Sequence, residues 1–335
     1  MTTARTTDNT QPKSISQSQE MKMTINTDTL SPDSALDFLL NNDIEVGENS
    51  FKKIEKIIAT SGPHSFDFAA RFGGRFRLGE KAIAKIPILA VRYAIEVIKG
   101  RFTVAEKSIA TDAEASYIYA KRVLNKRFVA GEAVIATSAE YSAMYAVEIL
   151  KGPFPDGEAA IATAGDYSTT YAIHAIKSRF PLGEKAIQYS AFDALRYAVF
   201  FDIKDFIKPE MEEEIAHLEE YSILYAVFVL EKPFPAGEKT ILDSYWERAY
   251  SYARFLVHGV STPSEASFWL QFLDENMDMD SPAQTEKLEK IIATDAMESL
   301  TYAQRLGEAF KLGEPEIKKH PFVWKLYQRW LKTGY

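Results

Sequence analysis

An all-α array of short helical hairpins, an α-solenoid, is the fold this sequence predicts, and three observations carry that reading. A glutamate is followed thirteen residues later by a tyrosine at Glu80/Tyr93, Glu106/Tyr119, Glu132/Tyr145, Glu158/Tyr171, Glu184/Tyr197, Glu212/Tyr225, Glu289/Tyr302 and Glu314/Tyr327, with Glu55/Phe68 as an aromatic variant. From Tyr93 to Tyr197 the tyrosines recur every 26 residues, and a period of that size marks one supersecondary unit used repeatedly. Apolar residues keep helical spacing and do not alternate with polar ones in the manner of strands, which sets helical repeats above a β-helix or propeller.

Residues 1–29, rich in Ser, Thr, Gln and Asn, hold neither an apolar run nor a repeat and read as a flexible arm without a secretory signal; Met21 and Met23 offer alternative starts. Residues 30–49 are expected to form a capping helix that opens at Ser31, Pro32 and Asp33 and turns Ala35, Leu36, Phe38, Leu39 and Leu40 inward. Repeats fill 50–259. In the best-preserved one, Phe154-Pro155-Asp156-Gly157-Glu158 leads into a helix A of about two turns, with Pro155 in the first turn where a helix tolerates it. Thr111 and Thr137, each with a glutamate three residues on, have capping-box spacing and are expected to start helix B. Helix B carries Tyr145, Ala146, Ile149 and Leu150 at helical spacing and is expected to stop at Lys99-Gly100 or Lys151-Gly152, the glycine supplying a left-handed cap. The alanine after each tyrosine lets neighbouring helices approach closely, an isoleucine in each helix A forms an apolar spine, and phenylalanines such as Phe128 and Phe154 plug the joints. Residues 260–285 read as a degenerate repeat or an insertion, and 286–335 as the last repeats with a C-terminal cap bearing Trp324 and Trp330. The whole is about ten hairpins, taken as right-handed.

Composition narrows the function classes. With 46% hydrophobic residues over 335 positions there is material for one elongated domain, and the absence of cysteine excludes disulfides and thiol chemistry. No stretch nears the ~20 apolar residues of a membrane span, so a cytoplasmic protein is expected. His64, His174, His217, His258 and His320 stand apart from one another, and no phosphate loop or dinucleotide fingerprint occurs, so no metal or cofactor is expected. The acidic run from Asp274 to Asp280 imitates a calcium loop but puts Met279 where the turn glycine belongs and Thr285 where the bidentate glutamate belongs. The Glu/Tyr pairs recur in every repeat, which suits a structural ladder, since catalysis needs one site. No residue cluster announces a reaction, and an enzyme is not expected.

In a repeat protein the binding surface lies where the repeats depart from one another. The first departure is charge: residues 71–127 hold thirteen bases against five acids, a net +8, whereas residues 201–300 hold eight bases against twenty-one acids, a net −13. Arg75, Arg101 and Arg127 occupy one place in successive repeats and, with Arg122, are candidates for binding a polyanion or an acidic partner, against the plainer reading of a solvated basic face. Stacking aromatics are not interleaved with these arginines, which makes nucleic acid the weaker partner and a protein the stronger. The second departure is the slot three residues after the ladder tyrosine. It is polar at Arg71, Glu96, Arg122, Glu148, His174 and Arg305 but becomes Phe200, Phe228 and Phe255 in three later repeats. These phenylalanines form either an exposed strip for a protein partner or a core covered by residues 260–285.

Arg179-Phe180-Pro181-Leu182-Gly183-Glu184 and Tyr145-Ala146-Val147-Glu148-Ile149-Leu150-Lys151-Gly152 give the pattern FPxGExxIAT…YAxxxLKG. This resembles short helical repeats in uncharacterised proteins of tailed bacteriophages, over residues 50–257 and 286–335. The resemblance implies a phage origin and action in a bacterial host, against its defences or in phage assembly, and brings no catalytic motif. The expected function is a non-enzymatic binding scaffold for a host or phage protein. The alternative is a virion or assembly protein that self-associates through oppositely charged ends.

Overall fold

The computed structural model describes residues 27–41, 47–277 and 281–334. The expected flexible arm up to residue 26, with Met21 and Met23, lies outside the described residues, as do positions 278–280 of the acidic loop. All regular structure among the described residues is helical, and the chain divides into two compact lobes, Met1–Ser108 and Ile109–Tyr335.

The first lobe opens with the helix Pro32–Asn41, which buries Ala35 and Leu36, followed by helices Glu48–Ile58 and Gly62–Phe72. Its last hairpin pairs the single-turn helix Glu80–Ile83 with Pro87–Tyr93, which widens into a π-helical turn at Ala94–Ile98. The second lobe repeats that hairpin. Several of its helices A are a single turn, as in Glu158–Ile161, and a helix of one turn is unstable alone, so packing must hold it. That packing comes from Ile109, Ile135, Ile161, Ile187, Ile215, Ile241, Ile292 and Ile317, all essentially without solvent exposure, as the apolar spine requires.

Both ends of helix B differ from expectation by one residue. Its N-cap is Asp112, which accepts the Ala115 amide at 2.8 Å, or Ser138, which accepts the Tyr141 amide at 3.3 Å. The threonine before it closes helix A: the Thr137 hydroxyl donates to the Val134 carbonyl and that of Thr163 to Ala160, each at 2.7 Å. At the other end the left-handed residue is Lys99, Asn125, Lys151 or Lys177, with φ between 48 and 54°, and not the glycine after the lysines. The physical reason is the π-helical turn. The carbonyl of the alanine after the ladder tyrosine accepts amides five and six residues on, so Ala146 takes both Lys151 and Gly152 and the helix closes one residue early.

Glycine 157 belongs to a joint. A Cβ there would lie 2.7 Å from Ser142 Oγ of the preceding repeat, and Gly131, Gly183, Gly237 and Gly313 meet Ser116, Ser168, Ser222 and Ser299 in the same way. Those serines are fully buried and donate to the carbonyl seven residues before them, Ser142 to Ile135 at 2.8 Å. In the first lobe Gly79 and Ser65 keep this pair, whereas at the next joint alanine stands at both corresponding positions, Ala90 and Ala105, both fully buried.

The described residues between 260 and 285 form an inserted helix and the start of a lengthened helix A. Pro263–Met277 is followed by Pro282–Ile292, which carries the ladder residue Glu289.

Candidate functional site

The ladder ties each hairpin to itself and to the next. Tyr145 donates to Glu132 at 2.8 Å, Tyr171 to Glu158 at 2.7 Å, Tyr225 to Glu212 at 2.6 Å and Tyr302 to Glu289 at 2.7 Å. The Tyr145 and Tyr171 hydroxyls also accept the amide that opens helix A, from Phe128 and Phe154 respectively, each at 2.9 Å. The rings then meet the phenylalanine of the following repeat, Tyr145 to Phe154 at 5.4 Å and Tyr171 to Phe180 at 5.1 Å between centroids. One pair escaped the sequence rule: Tyr252 donates to Glu238 at 3.1 Å across fourteen residues, an extra residue having hidden it from a search at thirteen.

Burial, above all, and the hydrogen bond to Glu132 push the Tyr145 hydroxyl up to about 12. Glu132 is held below the ordinary carboxylate range, chiefly by its bond to Arg127 and against the opposing effect of burial.

The arginine stripe is part of this ladder, which corrects its reading as a free anion-binding edge. Arg75 clamps Glu80 with Nε and Nη2 at 2.9 and 3.1 Å, Arg101 clamps Glu106 at 2.5 and 2.9 Å, and Arg127 clamps Glu132 with both bonds at 2.8 Å. Their outer edges remain exposed, but each charge is matched by the glutamate five residues on, in the fork geometry that suits guanidinium and carboxylate. Arg122 differs: it is exposed and makes no ion pair among the described residues.

The phenylalanine strip is core. Phe200, Phe228 and Phe255 are 6%, 3% and 7% exposed, so an open strip is excluded and the covered alternative holds. The cover is the inserted helix. Trp269, fully buried, sets its indole edge-on to Phe228 and Phe255 at 6.3 and 6.1 Å, while the Ser281 hydroxyl donates to the Val199 carbonyl at 3.1 Å. Arg254 joins Glu265 on the inserted helix at 2.6 Å and lies 4.4 Å above the Phe268 ring.

A second departure marks the same docking, one that sequence reasoning missed although its signal is visible. The left-handed position that is lysine or asparagine in four repeats becomes Asp202 and Glu231 here. Gln284 donates to Asp202 at 3.0 Å, Lys287 pairs with Glu231, and Lys204 bridges the two acids at 2.8 and 3.0 Å.

In the preceding repeats of the second lobe the same slot is open: Arg122, Glu148 and His174 are exposed. There the Tyr117 hydroxyl donates to Glu148, Lys121 pairs with Glu148 at 2.6 Å, and the Tyr117 ring stacks on Tyr141 at 5.8 Å. Burial and then Glu148 raise the Tyr117 hydroxyl above the usual tyrosine range.

Among the described residues no group of three His, Asp or Glu side chains is placed to hold a metal ion, and no helix is long and apolar enough to cross a membrane. No family model matches the chain, and comparison with curated proteins and with solved structures finds no match.

Proposed function

We propose that this chain is a non-enzymatic scaffold, an α-solenoid of helical hairpins whose helix B face holds a helical segment of a protein partner. The observation that carries the reading is the chain's own use of that face. Across the repeats of Phe228 and Phe255 it receives the helix Pro263–Met277, gripped through Trp269, and at the repeat of Phe200 it receives Ser281 and the start of Pro282–Ile292. The face continues in the preceding repeats with Tyr117, Lys121, Arg122, Glu148 and His174, the last three of them exposed. A helix laid there would meet a prearranged polar cluster at Tyr117 and Glu148 and a free guanidinium at Arg122, which favours an amphipathic segment with acidic residues. The repeated polar groups, by contrast, are engaged in holding the hairpins together. The resemblance to phage-encoded repeats suggests a host or phage protein as the partner, met in the cytoplasm of an infected bacterium, with countering of host defence as one setting.

The test is affinity capture from nuclease-treated bacterial lysate, followed by reconstitution with the purified captured protein. The double variant Arg122→Glu, His174→Glu is expected to bind at least about tenfold more weakly at unchanged helical content, as loss of a central charged contact does. Equal binding by the variant and the parent chain would remove this face from the reading, and failure to reconstitute any complex would remove the scaffold itself.

A further inference from the structure

The inserted helix Pro263–Met277 does more than cover the phenylalanines. With helix Trp246–His258 it walls a cleft of about 320 Å³, a volume within the roughly 300–1,000 Å³ range of small-ligand sites. Helical spacing puts Glu247 and Ser251 on one wall and Phe268, Gln271, Phe272 and Glu275 on the other. The two phenylalanines supply its apolar surface.

The polar lining consists almost wholly of acceptors. Glu247 and Glu275 are exposed carboxylates that make no ion pair among the described residues. The Ser251 hydroxyl donates to the Glu247 backbone carbonyl at 2.8 Å, which leaves its own oxygen to accept. Gln271 donates its amide nitrogen to Glu275 at 2.8 Å and so keeps its amide oxygen as an acceptor. Arg248 is the one cation among the described lining residues, and it is turned to Glu219, at 2.6 Å, and Glu220. With those partners counted, four acids stand against one base. The neighbouring cleft beside Tyr250 and His258 lacks this surplus, because its acid, Glu265, is held by Arg254 at 2.6 Å.

We propose that this cleft binds the guanidinium group of an arginine side chain or of a small arginine-like molecule. A guanidinium is a planar cation with five N–H donors and no acceptor, so it answers the carboxylates, the hydroxyl and the amide oxygen together. Its plane also stacks on aromatic rings, and the chain makes that contact at the same residue: the Arg254 guanidinium lies 4.4 Å above the Phe268 ring while lining the neighbouring cleft. An anion would meet the unpaired carboxylates. A bare metal ion would lack ligands, since among the described residues no three His, Asp or Glu side chains come together. The site shares no residue with the open slot at Arg122, Glu148 and His174 and does not depend on partner binding there.

Saturation-transfer NMR of the full chain tests it with two probes, N-acetyl-arginine methylamide, the side chain as a peptide presents it, and ethylguanidinium, a free base. Saturable binding at about 0.1–10 mM is expected for ligands of this size. Tighter binding of the first assigns the site to a peptide's arginine and tighter binding of the second to a small free guanidine; either supports the cleft. The neutral urea analogue of the tighter probe should bind about fivefold more weakly or worse, and so should the probe itself to Glu247→Gln with Glu275→Gln at unchanged helical content. Glu213→Gln with Glu214→Gln removes as much charge from exposed acids outside the cleft and should bind like the parent chain. No saturable binding of either probe, equal binding of the urea analogue, undiminished binding by the cleft variant, or an equal loss in the variant outside the cleft would each overturn the proposal.

Discussion

Tyr145 donates to Glu132 at 2.8 Å across the thirteen residues that separate helix B from helix A, and its oxygen at the same time accepts the Phe128 amide at 2.9 Å. Removing that oxygen orphans a buried backbone donor. Tyr145→Phe, which keeps the ring against Phe154, is therefore expected to cost about 1–3 kcal/mol, the range for a buried group left without its partner. Urea denaturation measures it; a shift below about 0.3 kcal/mol would show that water replaces the hydroxyl.

The same hydroxyl gives the fold an alkaline limit. Burial and the neighbouring glutamates push Tyr145 and Tyr197 up to about 12, from an ordinary value of 10.0. A proton held more tightly in the folded state contributes stability that is complete below pH 10 and is lost as pH rises toward 12. Urea midpoints are expected to hold steady up to pH 10 and fall beyond it, with a shallower fall in Tyr145→Phe. Glu132 works in the opposite direction: held low by Arg127, its contribution is present above the ordinary value of 4.5 and is lost on acidification. A midpoint unchanged between pH 10 and 12 would mean that the tyrosines ionise freely in the folded chain.

Gly157 and Ser142 should behave as a coupled pair. A Cβ at 157 would sit 2.7 Å from Ser142 Oγ and 2.6 Å from the Phe154 ring, so Gly157→Ala is expected to cost about 1–3 kcal/mol, as overpacking does. The chain already shows a compensated version, with Ala90 and Ala105 buried at the equivalent positions. Ser142→Ala added to Gly157→Ala should recover part of the loss, by about 0.5 kcal/mol or more in a double-mutant cycle. Strict additivity would mean that the clash is with Phe154 alone.

The hairpins were legible because every repeat reuses one solution: the glutamate, tyrosine, isoleucine and alanine lie at fixed spacings since each makes the same contact each time. What escaped was set by geometry that leaves no residue signature. The π-helical turn moves the left-handed position from Gly152 to Lys151, and no residue preference announces a widened turn. The two faces of Phe228 posed a different difficulty. A polar slot turned aromatic fits a partner site and a covered core equally well until the covering helix is known, and Trp269 lies 41 residues away in sequence. A better signal was present: acids at Asp202 and Glu231 where other repeats have lysine or asparagine could be matched to Lys287 and Gln284.

Those acids allow the docking of the inserted segment to be tested apart from its apolar grip. Burial opposes ionisation at Asp202 and Glu231, yet Lys204 and Lys287 outweigh it and hold both carboxyls below the usual range. Restoring the residue of other repeats, Asp202→Lys with Glu231→Lys, removes both acidic partners of Lys204, leaving its bond to the Phe228 carbonyl, and sets like charges beside it. The acids are 35% and 44% exposed, so solvent screening limits the loss to roughly 1–2 kcal/mol. Trp269→Ala, which empties the space between Phe228 and Phe255, is expected to cost about 3–5 kcal/mol. Hydrogen exchange separates the two effects: the double lysine variant should accelerate exchange in residues 263–292 while residues 113–176 stay as protected as before, because the local opening energy falls only where the docking is weakened. If residues 263–292 remain fully protected in that variant, the indole and the phenylalanines hold the segment without help, and the acids at the left-handed positions serve only to bind Lys204.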